Sequence, residues 1–217
     1  MNRFQLKIFA VVTMLIDHIG AVLFPGVIFL RIIGRLSFPV FAYLLTEGLL
    51  HTSNIRKYFG RLFLFALVSE IPFDLAFHSS VFYPNSQNIF FTLFFGLAAI
   101  ALLQKISPVQ PVGAAMGAVS LALIAELLHT DYGWYGVAVV VLFYLGRKYP
   151  TKGLVLFSLL TVGYGLAFSP LESYAVLAGI PIFLYSGFRG KWNWKYFFYV
   201  FYPAHLLLLY WIHTVAI

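Results

Sequence analysis

The 217-residue chain predicts an all-α protein that crosses a membrane many times, and three observations carry that prediction. Its residues are 62% hydrophobic and 10% charged, with a mean hydropathy of +0.91, whereas a soluble domain is nearer half apolar and a quarter charged. Its apolar runs have the length of helices that span hydrocarbon. Between them lie breaks with turn chemistry: Phe24-Pro25-Gly26, Tyr83-Pro84-Asn85-Ser86, Ser107-Pro108, Asp131-Tyr132-Gly133, Ser169-Pro170 and Arg189-Gly190.

The runs are placed at 5–24, 36–52, 58–78, 88–105, 111–129, 134–149, 152–168, 171–188 and 194–215. That makes about nine transmembrane helices in a single domain over 1–217, with hardly any chain left for a soluble part. Asp17-His18-Ile19-Gly20 interrupts the first run where the apolar core of a secretory signal should continue, so this segment is read as retained. With the N-terminus in the cytoplasm, alternation puts Arg3, Lys7, Arg56, Lys57, Arg61, Lys105, Arg147, Lys148, Lys152, Arg189, Lys191 and Lys195 inside. These are 12 of the 14 basic residues, and the loops around 79–87, 130–133 and 169–171 contain none. This is the positive-inside asymmetry, N-in and C-out. The net charge of +7 is spread over short loops and forms no face for nucleic acid. The absence of Cys excludes disulfides and thiolate chemistry.

Asp17 and His18 stand inside the first apolar run. An ionisable residue in hydrocarbon is costly and points to a functional site, and this pair has the residue types of a base and its orienter. Adjacent residues point about 100° apart on an ideal helix, so Asp17 is expected to pair with Arg31 or Arg35 rather than to hold the His18 ring. Those two arginines break the inside rule and are four residues apart, on one face of any helix formed there. They either serve an anion site or snorkel to outer lipid phosphates, and their closeness to Asp17 and His18 favours the site.

Glu70, Asp74 and His78 recur at spacing four on the third run, with Pro72 between the acids. Two carboxylates stacked in hydrocarbon need partners; Glu70 or Asp74 is expected to orient His18, the alternative being an ion-pair cluster that fixes helix packing. Asn88 and Thr92 open the fourth run, as a cap or as donors to an oxyanion. Glu47 and His51 close the second run near the cytoplasmic side, Glu47 either orienting His51 or meeting a cytoplasmic ligand, or His51 simply reaching water. Tyr132, Trp134 and Tyr135 fit an interfacial aromatic belt. The six His are scattered, and no HxxxH or HExxH pair appears, so no metal site is expected.

Several strings together carry a family resemblance: Leu15-Ile16-Asp17-His18-Ile19-Gly20, Arg31-Ile32-Ile33-Gly34-Arg35-Leu36-Ser37-Phe38-Pro39, Glu47-Gly48, Arg56-Lys57-Tyr58, Ser69-Glu70-Ile71-Pro72-Phe73-Asp74, Gln87-Asn88-Ile89-Phe90-Phe91-Thr92, Asp131-Tyr132-Gly133 and Phe201-Tyr202-Pro203-Ala204-His205-Leu206. In this order they resemble the TraX family, named for a conjugative-plasmid protein associated with N-terminal acetylation of F-type pilin. The resemblance covers nearly the whole chain. It implies kinship with larger membrane acyltransferases that take acetyl-CoA from the cytosol and modify a group on the far side, with a catalytic histidine in an early span. By position, the counterpart here is His18. It also implies a multi-pass protein of the bacterial cytoplasmic membrane, inner or sole.

On this reading acetyl-CoA is the acyl donor, bound near Glu47, His51, Arg56, Lys57, Arg61 and Lys152, with His205 also on its path. His18, with Glu70 or Asp74, carries the catalysis, and Arg35, Asn88 or Thr92 stabilises the oxyanion. The acceptor is an amine or hydroxyl on a protein N-terminus or on a surface glycan or lipid. The alternative is a small proton-coupled transporter or channel, because intramembrane Asp, Glu and His chains also relay protons. Against that alternative, no inverted repeat is visible and the polar residues crowd into the first four runs.

Overall fold

The computed structural model describes all residues except 189, 191–193 and 217. The expected cytoplasmic charges at Arg189 and Lys191 therefore lie outside the described residues. Within the described residues every extended regular element is a helix, joined by one isolated parallel bridge between Gln87 and Thr130.

Helix α1 (Arg3–Val22) starts at Asn2, whose side chain accepts from the Gln5 N–H while the Gln5 side chain accepts from the Asn2 N–H, both at 2.9 Å. This reciprocal box satisfies two donors that the first turn leaves unpaired. The second traverse is made of two pieces, α2 (Ile28–Gly34) and α3 (Ser37–Leu50), and so begins well before the expected residue 36. Pro39 explains the break between them: it has no N–H for the Arg35 carbonyl four residues back, and its ring crowds that carbonyl. Arg31 thus lies on a short helix that ends at Gly34 and belongs to the second traverse, and not between the first two spans.

Helix α4 (Ile55–His78) is capped by Asn54, continues through Pro72, and stops at Ser79, which has a left-handed φ of 51°. Helix α5 (Ile89–Ile106) is capped by Asn88, whose side chain accepts from the Phe90 N–H. Helices α6 (Pro111–Leu127) and α8 (Pro150–Ala167) each open on a proline, where the missing N–H removes no helical bond; α7 (Gly133–Gly146) lies between them. The expected run 171–188 is shorter and divided into a 3-10 helix, Pro170–Ala178, and α9 (Gly179–Phe183). Pro181 opposes the Leu177 carbonyl as Pro39 opposes Arg35, so a continuous α-helix cannot pass. Helix α10 (Lys195–Ala216) ends the chain with Pro203 inside it.

Among the described residues, five stretches are long and apolar enough to cross a membrane by length and composition: Arg3–Val22, Ile28–Leu50, Ile89–Ile106, Pro150–Ala167 and Tyr196–Val215. Helix α4 is longer than any of these but carries charged residues toward both ends. Helix α7 is short, apolar all round and enclosed by α3, α5, α6 and α8, with Tyr135, Val137, Val139 and Val140 buried. Such a helix belongs in the centre of a bundle. Helix α6 is two-faced in size rather than polarity. Ala114, Ala118 and Ala125 are buried, the α5 and α7 contacts falling on this side, while Val112, Met116, Val119, Leu123 and Leu127 are exposed. Small residues let helices approach closely in lipid, where no aqueous driving force exists between them. Helix α10 packs on α4 and α1 and completes the wall of a cavity.

Candidate functional site

A cavity of about 790 Å³ lies between α1, α2, α3, α4, α5 and α10. It is lined by Arg3 near one end of α1 and by His18 near the other. At 1.5 Å per residue those positions are about 22 Å apart, most of the roughly 30 Å of a hydrocarbon core. One cavity thus reaches from the Arg3 end of the bundle to the Asp17 end.

At the Asp17 end, Arg35 Nη2 donates to both carboxylate oxygens of Asp17 at 2.9 and 2.8 Å, while its Nη1 donates to Glu172 Oε2 at 3.3 Å. Arg31 Nη1 stands 3.3 Å from Asp17 Oδ2 and donates to the Asp17 backbone carbonyl at 3.2 Å. The expected pairing of Asp17 with the arginines is therefore present in the geometry. A Cβ on Gly34 would collide with the Asp17 side chain, so the residue between the arginines has to be glycine for the carboxylate to enter. The Arg35 guanidinium lies 6.0 Å from the centroid of Tyr132, which stacks on Phe38 at 3.9 Å. Asp131, in the loop before α7, also lines the cavity. Its surroundings of protein push its carboxyl up to about 6, opposed by the positive charge of Arg35.

His18 is bonded to His205, with Nδ1 of the first 2.6 Å from Nε2 of the second. His205 Nδ1 is in turn 2.7 Å from the Phe201 carbonyl oxygen. Phe77 and Tyr202 stand edge-on to the His18 ring at 5.3 and 5.9 Å. His18 lines the cavity, whereas His205 is not among the lining residues. His205 is thus placed behind His18 and not on the path expected for a donor.

Glu70 and Asp74 require a correction: neither bonds His18 and neither lines the cavity. Glu70 Oε2 accepts from the Asn88 backbone N–H at 3.3 Å and from its side-chain amide. Asp74 Oδ2 accepts from the Tyr83 N–H at 2.8 Å. Both acids therefore tie the segment between α4 and α5 back onto α4. Pro72 lies between them inside the continuous helix, and His78 stacks on Tyr83 at 4.0 Å. The oxyanion role expected of Asn88 and Thr92 is corrected on the same ground. Asn88 Nδ2 also donates to the Ala66 carbonyl at 2.7 Å, and Thr92 Oγ1 accepts from the Tyr132 N–H at 3.3 Å; both side chains are buried away from the cavity.

The Arg3 end differs from expectation in its cast. Arg56 and Lys57 are exposed on the first turn of α4 and Lys152 is exposed on α8; none lines the cavity. Arg3, Lys7, His51 and Arg61 do, with Tyr58, Trp194 and Phe198. The Glu47 carboxylate accepts from Arg3 at 3.4 Å and from the Tyr185 hydroxyl at 3.2 Å, so it does not orient His51. His51 Nδ1 instead lies 2.8 Å from the Glu47 backbone carbonyl. Arg61 lies over the Tyr58 ring at 5.6 Å and Lys7 over Phe198 at 4.9 Å.

Glu172, Asp131, Arg3 and Lys7 were not singled out from the sequence as site residues. A signal for the two acids existed. The chain has seven acids in all, so each one near an apolar run needs a named partner. Arg3 and Lys7 looked like ordinary topology signals, and only the packing of α1 turns them inward.

The TraX protein family model matches residues 2–213. A probable fimbrial assembly protein of Dichelobacter nodosus, FimC of serogroup H1, is 32% identical over 96% of this chain and 94% of its own length. An uncharacterized protein of Rickettsia prowazekii (strain Madrid E) is 53% identical over 38 residues, 18% of this chain and 15% of that one. No solved structure matches. A family match over nearly every residue, joined to a full-length relative, establishes that the chain belongs to the TraX family.

Proposed function

We propose that this chain is an acetyl-CoA-dependent acyltransferase of the bacterial cytoplasmic membrane, taking its donor at the Arg3 end and its acceptor at the Asp17 end. The observation that carries this reading is the single cavity joining a basic, aromatic mouth to an imidazole about 22 Å away along α1. The phosphates of acetyl-CoA sit near Arg3, Lys7 and Arg61, with the adenine among Trp194, Phe198 and Tyr58. The pantetheine arm follows the apolar middle of the cavity toward His18.

The chemistry is acyl transfer between heteroatoms. His18 accepts the proton of an amine or hydroxyl as that atom attacks the thioester carbonyl. The tetrahedral centre then collapses, the C–S bond breaks, and the proton passes to the departing thiolate. Arg31 is the candidate oxyanion donor: it lines the cavity and uses only Nη1 in bonds to described residues. Arg35 is committed to Asp17 and Glu172 and serves the construction of the site.

The relative named for fimbrial assembly supports an acceptor at the cell envelope, either a pilin-like N-terminus or a surface glycan or lipid. The test is acetyl transfer and CoA release by the purified protein in liposomes supplied with acetyl-CoA. His18→Ala should abolish both while unfolding at the wild-type temperature; full activity in that variant would sink the assignment. Proton flux without CoA release would favour a transporter in its place.

A further inference from the structure

We propose that His205 is a positioning residue that fixes the tautomer of His18 and leaves His18 Nε2 as the free base facing the cavity. The assignment of a chemical role to that nitrogen rests on the acyltransferase reading; the tautomer itself does not.

The bonding pattern forces the assignment for two neutral imidazoles. A backbone carbonyl is an acceptor only, so the Phe201 oxygen at 2.7 Å requires the proton of His205 to be on Nδ1. His205 Nε2 then holds a lone pair. His18 Nδ1, 2.6 Å away, must donate into it and therefore carries the His18 proton. Nε2 of His18 is left bare. The ring planes are within 2° and their centroids are 4.9 Å apart. The bond therefore runs in the plane of both rings, along the lone pair. His18 lines the cavity and His205 does not, so the ring edge turned away from His205 is the one a substrate meets.

An imidazole in this place does what a carboxylate does in a catalytic triad, holding the base in the useful tautomer, without bringing a charge into the hydrocarbon. Asp17 is unavailable for that work because both its oxygens face the arginines. When His18 Nε2 takes a proton, its Nδ1–H bond to His205 becomes charge-assisted and shorter. The proton shared between the two rings can move to His205 Nε2, which spreads the positive charge over both. No acid is hydrogen-bonded to either ring among the described residues.

The test uses full-length protein, 15N-labelled at histidine, in nanodiscs. His18→Gln identifies the His18 signals by their loss. Wild type should show His18 protonated on Nδ1 and bare on Nε2; a proton on Nε2 would overturn the proposal whether or not the protein transfers acetyl. His205→Gln places an amide oxygen where Nε2 was and should keep the tautomer, and His205→Phe, of similar volume, should lose it. In the acetyl-transfer assay His205→Phe should lower kcat by about 10²-fold or more, the span of general-base catalysis, with KM for acetyl-CoA unchanged. His205→Gln should recover activity to within about tenfold of wild type. Equal loss in both variants, or a change in KM alone, would count against a positioning role. Should His205→Phe fail to fold, the wild-type spectrum and the Gln variant still decide. A wild-type protein without transfer activity defeats the acyltransferase reading and leaves the tautomer measurement standing.

Discussion

At the Asp17 end of the cavity Arg31 and Arg35 face Asp17, Glu172 and Asp131; at the Arg3 end Arg3, Lys7 and Arg61 line the cavity and Arg3 pairs with Glu47. In the first group both cations are paired with acids. Its bonds join α1, α2 and the 3-10 helix, and Gly34 is shaped to admit them. The second group is basic, with Lys7 over the Phe198 ring and Arg61 over the Tyr58 ring. Charge in the bilayer interior has to be paired or hydrated, so the Asp17 end is built as structure. The Arg3 end can hold its basic residues because it is near the water interface, where a polyanion can be bound. The difference assigns opposite duties to residues that look alike in the sequence.

Breaking the Asp17 end should have the largest effect. Asp17→Asn takes the carboxylate from Arg31, leaves Arg35 with Glu172 alone and should cost about 3–5 kcal/mol of stability, read as a lower unfolding midpoint in detergent. An unchanged midpoint would mean that the Asp17 cluster is not a structural element. The Arg3 end should respond in binding instead. Replacing Arg3 and Arg61 together with Ala should weaken acetyl-CoA binding by about tenfold or more, roughly 1.4 kcal/mol. The loss should shrink at high salt, because exposed charge is screened; calorimetry at two ionic strengths measures both.

Glu70 then separates a clamp from a catalyst. Glu70→Gln keeps an acceptor for Asn88 and should cost about 1 kcal/mol of stability with kcat near wild type. A loss of kcat like that of His18→Ala would restore Glu70 to the catalytic group. Asp131 gives the smallest effect and one with a defined pH signature. Its carboxyl is raised to about 6 by its surroundings, above the unfolded value, so the native state holds this proton more tightly than the unfolded one. Its contribution to stability is therefore greatest below the unfolded value and is lost as pH rises toward 6. Asp131→Asn should remove that slope and raise the melting temperature slightly above pH 7. A melting temperature series from pH 4 to 8 checks it.

Much of the path to these assignments was legible in the chain. The capped helix start at Asn88, the lipid-length runs and the attraction of Asp17 for Arg31 and Arg35 follow from residue chemistry within a few turns. The helical spacing of Glu70 and Asp74 was also legible, and it misled. Spacing places side chains on a face but does not say what lies opposite, and opposite these acids are the Asn88 cap and the Tyr83 N–H. Each expected run corresponds to a helical stretch, two of them reshaped by proline, and among the described residues five stretches are long and apolar enough to cross a membrane. Pro39 divides α2 from α3, and Pro181 stops the segment that carries Glu172.

The sequence by itself determined the membrane class, the helical segments and their polar residues, because hydrocarbon leaves the backbone no alternative to its own hydrogen bonds. Only the tertiary structure decided which polar residues meet. His18 and His205 are 187 positions apart, and Arg35 and Glu172 are 137 apart. No local period encodes such distances. They are set by the crossing of α10 over α1 and by the 3-10 turn that returns Glu172 to α2, both consequences of how side chains of particular volume fill the bundle.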